Sequence, residues 1–417
     1  MKIKFHKSKP FFEGVCIDNI INSCNTPFYL YSQKNIEDSY KDLKNALKSE
    51  IFYAVKANSN QAILRIMKNC GSGADVVSSG ELERCLMAGF DPNKIIFEGV
   101  GKTEKDIKFA IKKNIHLINI ESLNEIKLIN EVGKSINKKI NIGIRLNPDI
   151  DGNTLDKITT GKKTDKFGIN IDQLINIFPE LKSYKNINIK GISCHVGSQL
   201  NDLKIFENVF SFMKKIADNF LSQDIKIEHI DLGGGFGVSY DSEINNLDIQ
   251  SIGKLVNKIF HESNYKISFE PGRFIVAKSG VIITKVLTLK KNGGINFLIT
   301  DAGMQTLIRP AMYGAAHRIN ALNDLDKPKI NYTIAGPICE STDIIAKNIL
   351  LPQQKVNNYL SIHDVGAYGA VMASNYNSRG IPAEILVNQN IFSTIHEEEK
   401  ISEIIKRDKI PKWLLTN

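Results

Sequence analysis

No stretch of about 18 apolar residues, the length a membrane-spanning helix requires, occurs anywhere in the 417-residue chain. The opening MKIKFHKSKPFFEG has no apolar core of signal-peptide length. The expectation is therefore a chain that is neither secreted nor membrane-spanning. Six cysteines (Cys16, Cys24, Cys70, Cys85, Cys194, Cys339) show no C-x-x-C spacing, and a chain this long does not need disulfides to fold. Free thiols in a reducing cytoplasm are expected. There is no internal repeat and no low-complexity tract. The formal charge of +9 comes with no basic block interleaved with aromatics, so a nucleic-acid partner is not expected. The lysines, scattered among Asn and Ile, read as solvated faces whose modest positive field favours anionic ligands.

What is present fits a soluble globular protein: 42% apolar and 24% charged residues. The length exceeds what one core usually supports, so a large domain and a smaller one are expected. From about residue 50 to 273, short β-branched runs alternate with stretches of helical periodicity such as Gln61–Asn69 and Leu203–Leu221. Eight runs can be counted: Ile51–Lys56, Ala74–Val77, Ile95–Glu98, His116–Ile120, Ile140–Leu146, Ile189–Val196, Ile227–Leu232 and Lys266–Glu270. Eight units closing on themselves make a barrel, although periodicity alone leaves an open doubly wound sheet as a rival. After Gly280 the texture changes to short strands (Val281–Leu289, Ile295–Thr300, Tyr332–Ile334) between Gly, Pro and Asn turns, as in an antiparallel β domain. The first 25 residues, broken by Pro10 and Gly14, are expected to join it. The expected division is a barrel over 26–273 and a β domain built from 1–25 and 274–417.

Tyr53-Ala54-Val55-Lys56-Ala57-Asn58 puts Lys56 at the end of the first run, directly after a segment that a barrel would bury. Any one lysine among so many reads most plainly as a surface residue, yet a lysine closing a buried strand is rarely only solvated. Burial disfavours the charged amine, and a depressed pKa is what Schiff-base chemistry with an aldehyde cofactor requires. Lys56 is thus a candidate imine former. Asp231-Leu232-Gly233-Gly234-Gly235-Phe236-Gly237 follows the seventh run. Successive glycines let backbone N–H groups cradle an anion, though three glycines also make a plain flexible turn. The loops after strands 7 and 8 of such barrels are a recurring phosphate site, which favours phosphate.

Glu270-Pro271-Gly272-Arg273 closes the eighth run with an acid and a base whose directions the Pro-Gly turn fixes. They form either a structural ion pair or a site in which Glu270 meets a protonated pyridine nitrogen and makes that ring a strong electron sink. His195-Val196-Gly197-Ser198 ends the sixth run; the imidazole can lie on a cofactor ring and Ser198 can bond a phosphate oxygen, or His195 is a satisfied core histidine. All four motifs fall at the C-terminal ends of predicted barrel strands, where such barrels build their sites. Four unconnected coincidences would be needed to explain that placement otherwise.

With these motifs in hand, the chain resembles the fold-type III pyridoxal-phosphate decarboxylases. That group contains ornithine, arginine and diaminopimelate decarboxylases and shares its barrel with alanine racemase. YAVKAN, ADVVSSGEL, HVGSQ, DLGGGFG, EPGR, GPICESTD and the stretch from Gly366 to Tyr376 stand in the family's order over nearly the whole length. The resemblance implies an α/β fold, a (β/α)8 barrel of the alanine-racemase type beside a mainly antiparallel β domain. It implies pyridoxal 5'-phosphate as cofactor and no metal. Lys56 would hold the cofactor aldehyde, His195 stack on its ring and Glu270 meet its nitrogen. Ser198, Gly235, Gly272 and Arg273 would surround the phosphate, with Gly233, Gly234 and Pro271 in the same loops. Tyr368 corresponds to the family tyrosine that reaches both phosphate and substrate, and Asp75 sits near the lysine. A carboxylate at the ring nitrogen, where alanine racemase has arginine, favours decarboxylation over racemisation.

Arg309-Pro310-Ala311-Met312-Tyr313-Gly314 and Gly336-Pro337-Ile338-Cys339-Glu340-Ser341 resemble the diaminopimelate branch rather than the ornithine branch. That implies decarboxylation of meso-2,6-diaminopimelate to L-lysine, in lysine biosynthesis. The physics agrees, because a distal amino-acid centre needs a cation for its carboxylate and an anion for its ammonium, whereas a distal amine needs only acids. Arg273 and Arg309 can supply forked donors, Glu340 can take the ammonium, Tyr313 can add a hydrogen bond, and Tyr368 borders the same substrate. Otherwise Arg309 is a surface residue in an ordinary ion pair and Cys339 a small core hydrophobe. Cys339 is assigned the acid that protonates the carbanion once carbon dioxide has left. In the family this cysteine and its neighbouring acid come from the other subunit, which implies a homodimer with shared sites. Three alternatives stay open: a same-fold decarboxylase of ornithine, arginine or carboxynorspermidine, a non-catalytic cofactor-binding homeostasis protein, and a barrel enzyme using another phosphorylated ligand.

Overall fold

The run Glu50–Ala54 is apolar after its first residue, and a segment buried on both faces pairs best as an interior parallel strand. A computed structural model, describing residues 3–152, 160–240 and 247–415, makes it the first of eight such strands. The others are Gly73–Val76, Ile95–Phe97, Leu117–Ile120, Ile140–Asn147, Ile187–Cys194, His229–Asp231 and Lys266–Phe269. Each lies parallel to the next; pairing of the fourth with the fifth and of the eighth with the first closes the ring. A two-residue strand, Ile169–Asn170, is added to the end of the fifth. The architecture is the closed barrel and not the open sheet, and each of the eight runs read from the sequence coincides with one of its strands to within a few residues. This unit comprises Glu37–Ser239 and Asn245–Ile275.

Single residues start the helices between the strands. Asn60, Ser78, Thr103, Ser122, Asp202 and Asp248 each accept a backbone N–H from the first turn of the helix that follows. Those donors have no partner inside the helix, so a cap of this kind fixes where the helix begins. Thr103 and Asp106 cap each other reciprocally. Loops leaving the carboxyl ends of the strands are thereby tied at both ends, and side chains on them are held in place.

The barrel interior is not uniformly apolar. Ser193 Oγ on the sixth strand donates to Glu98 Oε1 beside the third at 3.2 Å, a contact between strands that are not neighbours and so one that crosses the interior. Asn119 Nδ2 donates to the same oxygen. Arg145 Nη1 lies 3.7 Å from Glu98 Oε2 and 3.2 Å from Glu121 Oε1, and all three side chains are buried. Removing one partner of such a buried pair strands the other charge, at a cost of about 3–5 kcal/mol. The network therefore fixes the barrel's cross-section as well as its internal field.

Toward the amino-terminal ends of the strands, His229 packs against Phe52 and His116, with ring centroids 6.0 and 5.8 Å away. Neither of its ring nitrogens has a hydrogen-bond partner among the described residues. Burial first, then His116 and Lys266, pushes its pKa down to about 3. Below about pH 6.5 the unfolded chain takes up a proton here that the folded chain refuses, so this residue costs stability as the pH falls. His229→Leu is expected to gain about 2 kcal/mol on the parent protein between pH 7.5 and pH 5, read by denaturant titration. A stability difference that stays constant with pH would show that the imidazole is not held neutral.

The second unit comprises Met1–Ile36, Tyr240–Ile244 and Val276–Asn417. Its longest strand, Gly280–Asn292, pairs antiparallel with Phe28–Ser32 and Tyr359–His363 in its first half and with Ile295–Thr300 in its second. Lys329–Ala335, Ile344–Pro352, Ala383–Asn388 and Ile391–His396 extend the sheet. Two pairings are parallel, Ile295–Thr300 with Lys329–Ala335 and Phe28–Ser32 with Ala383–Asn388. Phe12, Ile17 and Ile20 share a core cluster with Phe28, Leu30, Val281, Ile283 and Ile385. At about 1.5–3 kcal/mol for each side chain withdrawn from water, that cluster anchors the N-terminal segment in this unit. The place of Phe28–Ser32 corrects the domain boundary expected at residue 26. Five buried residues, FYLYS, carry no periodicity that assigns them to either sheet, and only their pairing partners do. No helix among the described residues is long and apolar enough to cross a membrane.

Candidate active site

The first barrel strand ends at Ala54, and a single 3-10 turn over Val55–Ala57 carries Lys56 out of the buried run. Its side chain keeps 40% exposure, and its amine lies 3.6 Å from Oδ2 of Asp75, which is buried on the second strand. The expectation of a buried lysine is corrected here: the strand is buried, and the turn lifts the lysine off it. What surrounds the amine is acid. Burial pushes Asp75 up to about 7, against the opposing pull of Lys56. The Lys56 charge also acts on Glu270 and on His195, which places the amine near residues of two of the other three motifs.

Close packing of glycine explains how the loops converge. A Cβ on Gly272 would sit 2.8 Å from the Ala57 side chain, and Pro271 accepts the Ala54 N–H at 3.2 Å, so the eighth-strand turn lies against the Lys56 turn. Gly235 takes φ 78°, a left-handed conformation natural to glycine, and a Cβ there would meet the Gly197 carbonyl at 2.3 Å. Arg273 donates from Nε and Nη2 to Ser198 Oγ at 3.2 and 3.1 Å. Loops after the sixth, seventh and eighth strands are thus laced together around Ser198, Gly235 and Arg273.

The glycine turn holds fewer amides ready for an anion than its sequence suggests. Gly233 N–H donates to Asp231 Oδ1 at 2.7 Å, and Gly234 N–H to His195 Nδ1 at 3.2 Å. The expected cradle of three amides is therefore narrowed to Gly235. Those two bonds serve other ends. The first orients Asp231, whose carboxyl burial pushes up to about 7. The second makes His195 Nδ1 an acceptor, which suits a ring that burial, Lys56 and Arg145 hold well below its usual pKa. His195 is a neutral ring whose tautomer is set by the glycine turn.

Glu270 is the most telling group. It is buried, and its Oε1 has no hydrogen-bond partner among the described residues. Burial, then Asp231, Asp75 and Glu98, drive its pKa well above the usual carboxylate value. A carboxyl in this position lacks a donor that carries positive charge, and a protonated pyridine nitrogen is such a donor. The residues fit pyridoxal phosphate on that count, and on three more: an amine at Lys56 for the aldehyde, a neutral ring at His195, and a hydroxyl, guanidinium and amide at Ser198, Arg273 and Gly235 for the phosphate. Sequence reasoning missed the acids behind them, Glu98, Glu121 and Asp231, and the buried Arg145. Their signal was the one used for Lys56: Glu98 closes the apolar run Ile95–Phe97, and Arg145 interrupts Ile140–Asn147.

In the second unit, Arg309 is buried and opens the short helix Arg309–Tyr313, so it is not the surface residue that was its alternative reading. Tyr313, on the same helix, is partly exposed. Cys339 is exposed, which removes the reading as a core hydrophobe, and its N–H donates to Asn377 Oδ1 at 3.1 Å. Beside it, Glu340 Oε1 accepts from Tyr376 Oη at 2.5 Å. Asp343 takes the N–H groups of Met304 and Ile338 at 2.6 and 2.7 Å, which fixes the loop that presents Cys339. Tyr368 is held at φ 56°; a bulky residue there stores about 1–3 kcal/mol of strain, of the kind that gathers at ligand sites.

Comparison with known proteins covers both units. The family model for the pyridoxal-dependent decarboxylase, pyridoxal binding domain, matches residues 33–277. The chain is 37% identical to diaminopimelate decarboxylase of Zymomonas mobilis over 409 residues, 96% of this chain and 97% of that one. The solved structure of the Helicobacter pylori diaminopimelate decarboxylase complexed with L-lysine superposes with a TM-score of 0.90 at 36% identity, covering 94% and 98% of the two chains. That of the M. jannaschii enzyme in co-complex with L-lysine gives 0.94 at 32% identity, covering 99% of both. Likeness that extends through barrel and β unit alike leaves one assignment: the chain belongs to the pyridoxal-dependent decarboxylases, and among them to the diaminopimelate decarboxylase family.

Proposed function

We propose that this chain decarboxylates meso-2,6-diaminopimelate at its D-centre and releases L-lysine, using pyridoxal 5'-phosphate bound at the carboxyl end of the barrel. The observation that carries the proposal is Glu270, a buried carboxyl with an unmet oxygen and a raised pKa beside the Lys56 turn. When bound, the cofactor supplies an electron sink for the bond that breaks between Cα and the carboxylate.

The chain's own residues do the rest. Lys56 offers an amine whose charge Asp75 balances at 3.6 Å. Glu270 holds a proton where a ring nitrogen would share it, and so keeps that nitrogen positive as charge develops. His195, kept neutral by burial and by the Gly234 amide, can cover a ring without adding charge. Ser198, Gly235 and Arg273 would hold the phosphate, with Gly272 allowing the close approach and Tyr368 at its edge. For the distal amino-acid centre, Arg309 with Tyr313 and Arg273 would take the carboxylate and Glu340 the ammonium. The Cys339 thiol, exposed on its loop, would return a proton to Cα. Lysine complexes of two relatives support that substrate, because the carboxylate that L-lysine keeps is the distal one of diaminopimelate. The working unit would be a cytoplasmic homodimer with Cys339 and Glu340 supplied across the interface.

One assay tests both parts. Purified protein with pyridoxal phosphate is offered meso-diaminopimelate, ornithine, arginine and carboxynorspermidine, and carbon dioxide and product mass are followed. Lysine from the first substrate is expected, and turnover of another substrate in its place would overturn the assignment. In the same assay, Lys56→Ala and Cys339→Ala chains dissociated and reassociated together should regain about a quarter of parental activity, through mixed dimers with one intact site. No regain would show that the sites are not shared.

A further inference from the structure

We infer that His317 is a positioning residue for Arg309: it accepts a hydrogen bond from the guanidinium on Nε2 while its Nδ1–H is tied to the His363 carbonyl, and so aims Arg309 at the distal carboxylate of the substrate. This rests on the reading of Arg309 as the carboxylate anchor and adds the residue that orients it.

The local sequence brings the pair together. Helix Arg309–Tyr313 is ended by Gly314 at φ 65°, where the left-handed turn sends the chain back on itself. His317 then lies beside the side chain eight residues before it, with Nε2 3.0 Å from Arg309 Nη1. Immediately afterwards Ile319–Ala321 pairs antiparallel with Tyr359–His363, Ile319 opposite Ile362, and the His363 N–H donates to the Arg318 carbonyl at 2.9 Å. That register delivers the His363 carbonyl to His317, 2.9 Å from Nδ1.

Chemistry fixes the roles of the two ring nitrogens. A carbonyl oxygen only accepts, so Nδ1 carries the hydrogen; a guanidinium only donates, so Nε2 carries the lone pair. Both demands are met by one neutral tautomer, assigned by the partners on either side. The Tyr240 ring closes a third side, 4.9 Å from the guanidinium carbon and with its centroid 5.4 Å from that of His317. Arg309 is 6% exposed and His317 4%, so neither has a solvent shell to set its direction, and the protein contacts must. A neutral acceptor sets direction without cancelling charge. That property distinguishes this contact from an ion pair with a carboxylate, which would compete with the substrate for the same cation.

The test uses the pyridoxal-phosphate-loaded enzyme and two inhibitors: L-lysine, which carries the distal carboxylate, and 1,5-diaminopentane, which lacks it. His317→Asn keeps a donor for the His363 carbonyl and loses the acceptor for Arg309; His317→Gln does the reverse. His317→Asn is expected to raise both the KM for meso-diaminopimelate and the inhibition constant of L-lysine by about tenfold or more, with kcat within about twofold and diaminopentane inhibition unmoved. His317→Gln, with its acceptor restored, should stay within about threefold of the parent in all of these. Asparagine and glutamine behaving alike, or lysine and diaminopentane weakening together, would overturn the positioning role if Arg309→Gln still weakens lysine alone. Should Arg309→Gln leave lysine inhibition unchanged, the carboxylate reading of Arg309 is the part that fails, and the role of His317 falls with it.

Discussion

Lys56→Ala is expected to lower turnover of meso-diaminopimelate by about ten-thousand-fold. Among the described residues the Lys56 charge acts on Asp75, Glu81, Glu270 and His195, three acids and an imidazole held neutral, none of them an amine that could take its place. The variant should also lose its grip on pyridoxal phosphate during gel filtration, since the phosphate contacts proposed at Ser198, Arg273 and Gly235 would exchange freely without it. The fold should survive, because Lys56 leaves the buried strand and its side chain is 40% exposed. Its loss removes the one cation that lowers Asp75 most, so Asp75 is driven further toward its neutral form and not into an unpaired charge. A small amine added to the solution should restore a measurable fraction of activity. A variant that keeps a tenth of parental turnover would contradict the assignment of Lys56.

Glu270→Gln is expected to lower kcat by about a thousand-fold, with the unfolding midpoint unchanged or raised. Glutamine reproduces the shape of the carboxyl and its neutral form, which burial and three neighbouring acids favour. What glutamine cannot do is give up that proton and face a protonated ring nitrogen as an anion. The loss should therefore fall on the chemical step and spare substrate binding. Stability points the same way: a carboxyl whose folded pKa is raised contributes most below its unfolded value and loses that contribution as the pH rises through the folded value. Replacing it by a group that never ionises removes the penalty at alkaline pH. A tenfold loss or less would place the ring nitrogen elsewhere.

Much of this was legible in the sequence, for reasons that can be named. The eight barrel strands stood out because parallel strands buried on both faces are runs of β-branched residues, and the polar residues that interrupt or close such runs are where the site is built. Lys56, Glu270, His195 and Ser198 were singled out as candidates this way, and the structure places them with Asp75, Gly235 and Arg273 in one unit. Phe28–Ser32 was assigned to the wrong side of a boundary because a short apolar run carries no record of its pairing partner. The amides of Gly233 and Gly234 looked available because their acceptors, Asp231 and His195, are seen only when the turn folds back. The exposure of Lys56 depends on a 3-10 turn that periodicity does not report. Arg145 and Glu98, 47 residues apart, and His317 and His363, 46 apart, meet through strand order, which local pattern does not encode.

Covalent capture of an aldehyde by the Lys56 amine leaves a mark that peptide mass reads after reduction. The protein is incubated with pyridoxal phosphate, treated with borohydride, digested and mapped. One phosphopyridoxyl group for each chain is expected, on the peptide that contains Tyr53-Ala54-Val55-Lys56-Ala57-Asn58, and its absence from the Lys56→Ala variant. A label carried by a different lysine, or no label at all, would contradict the account.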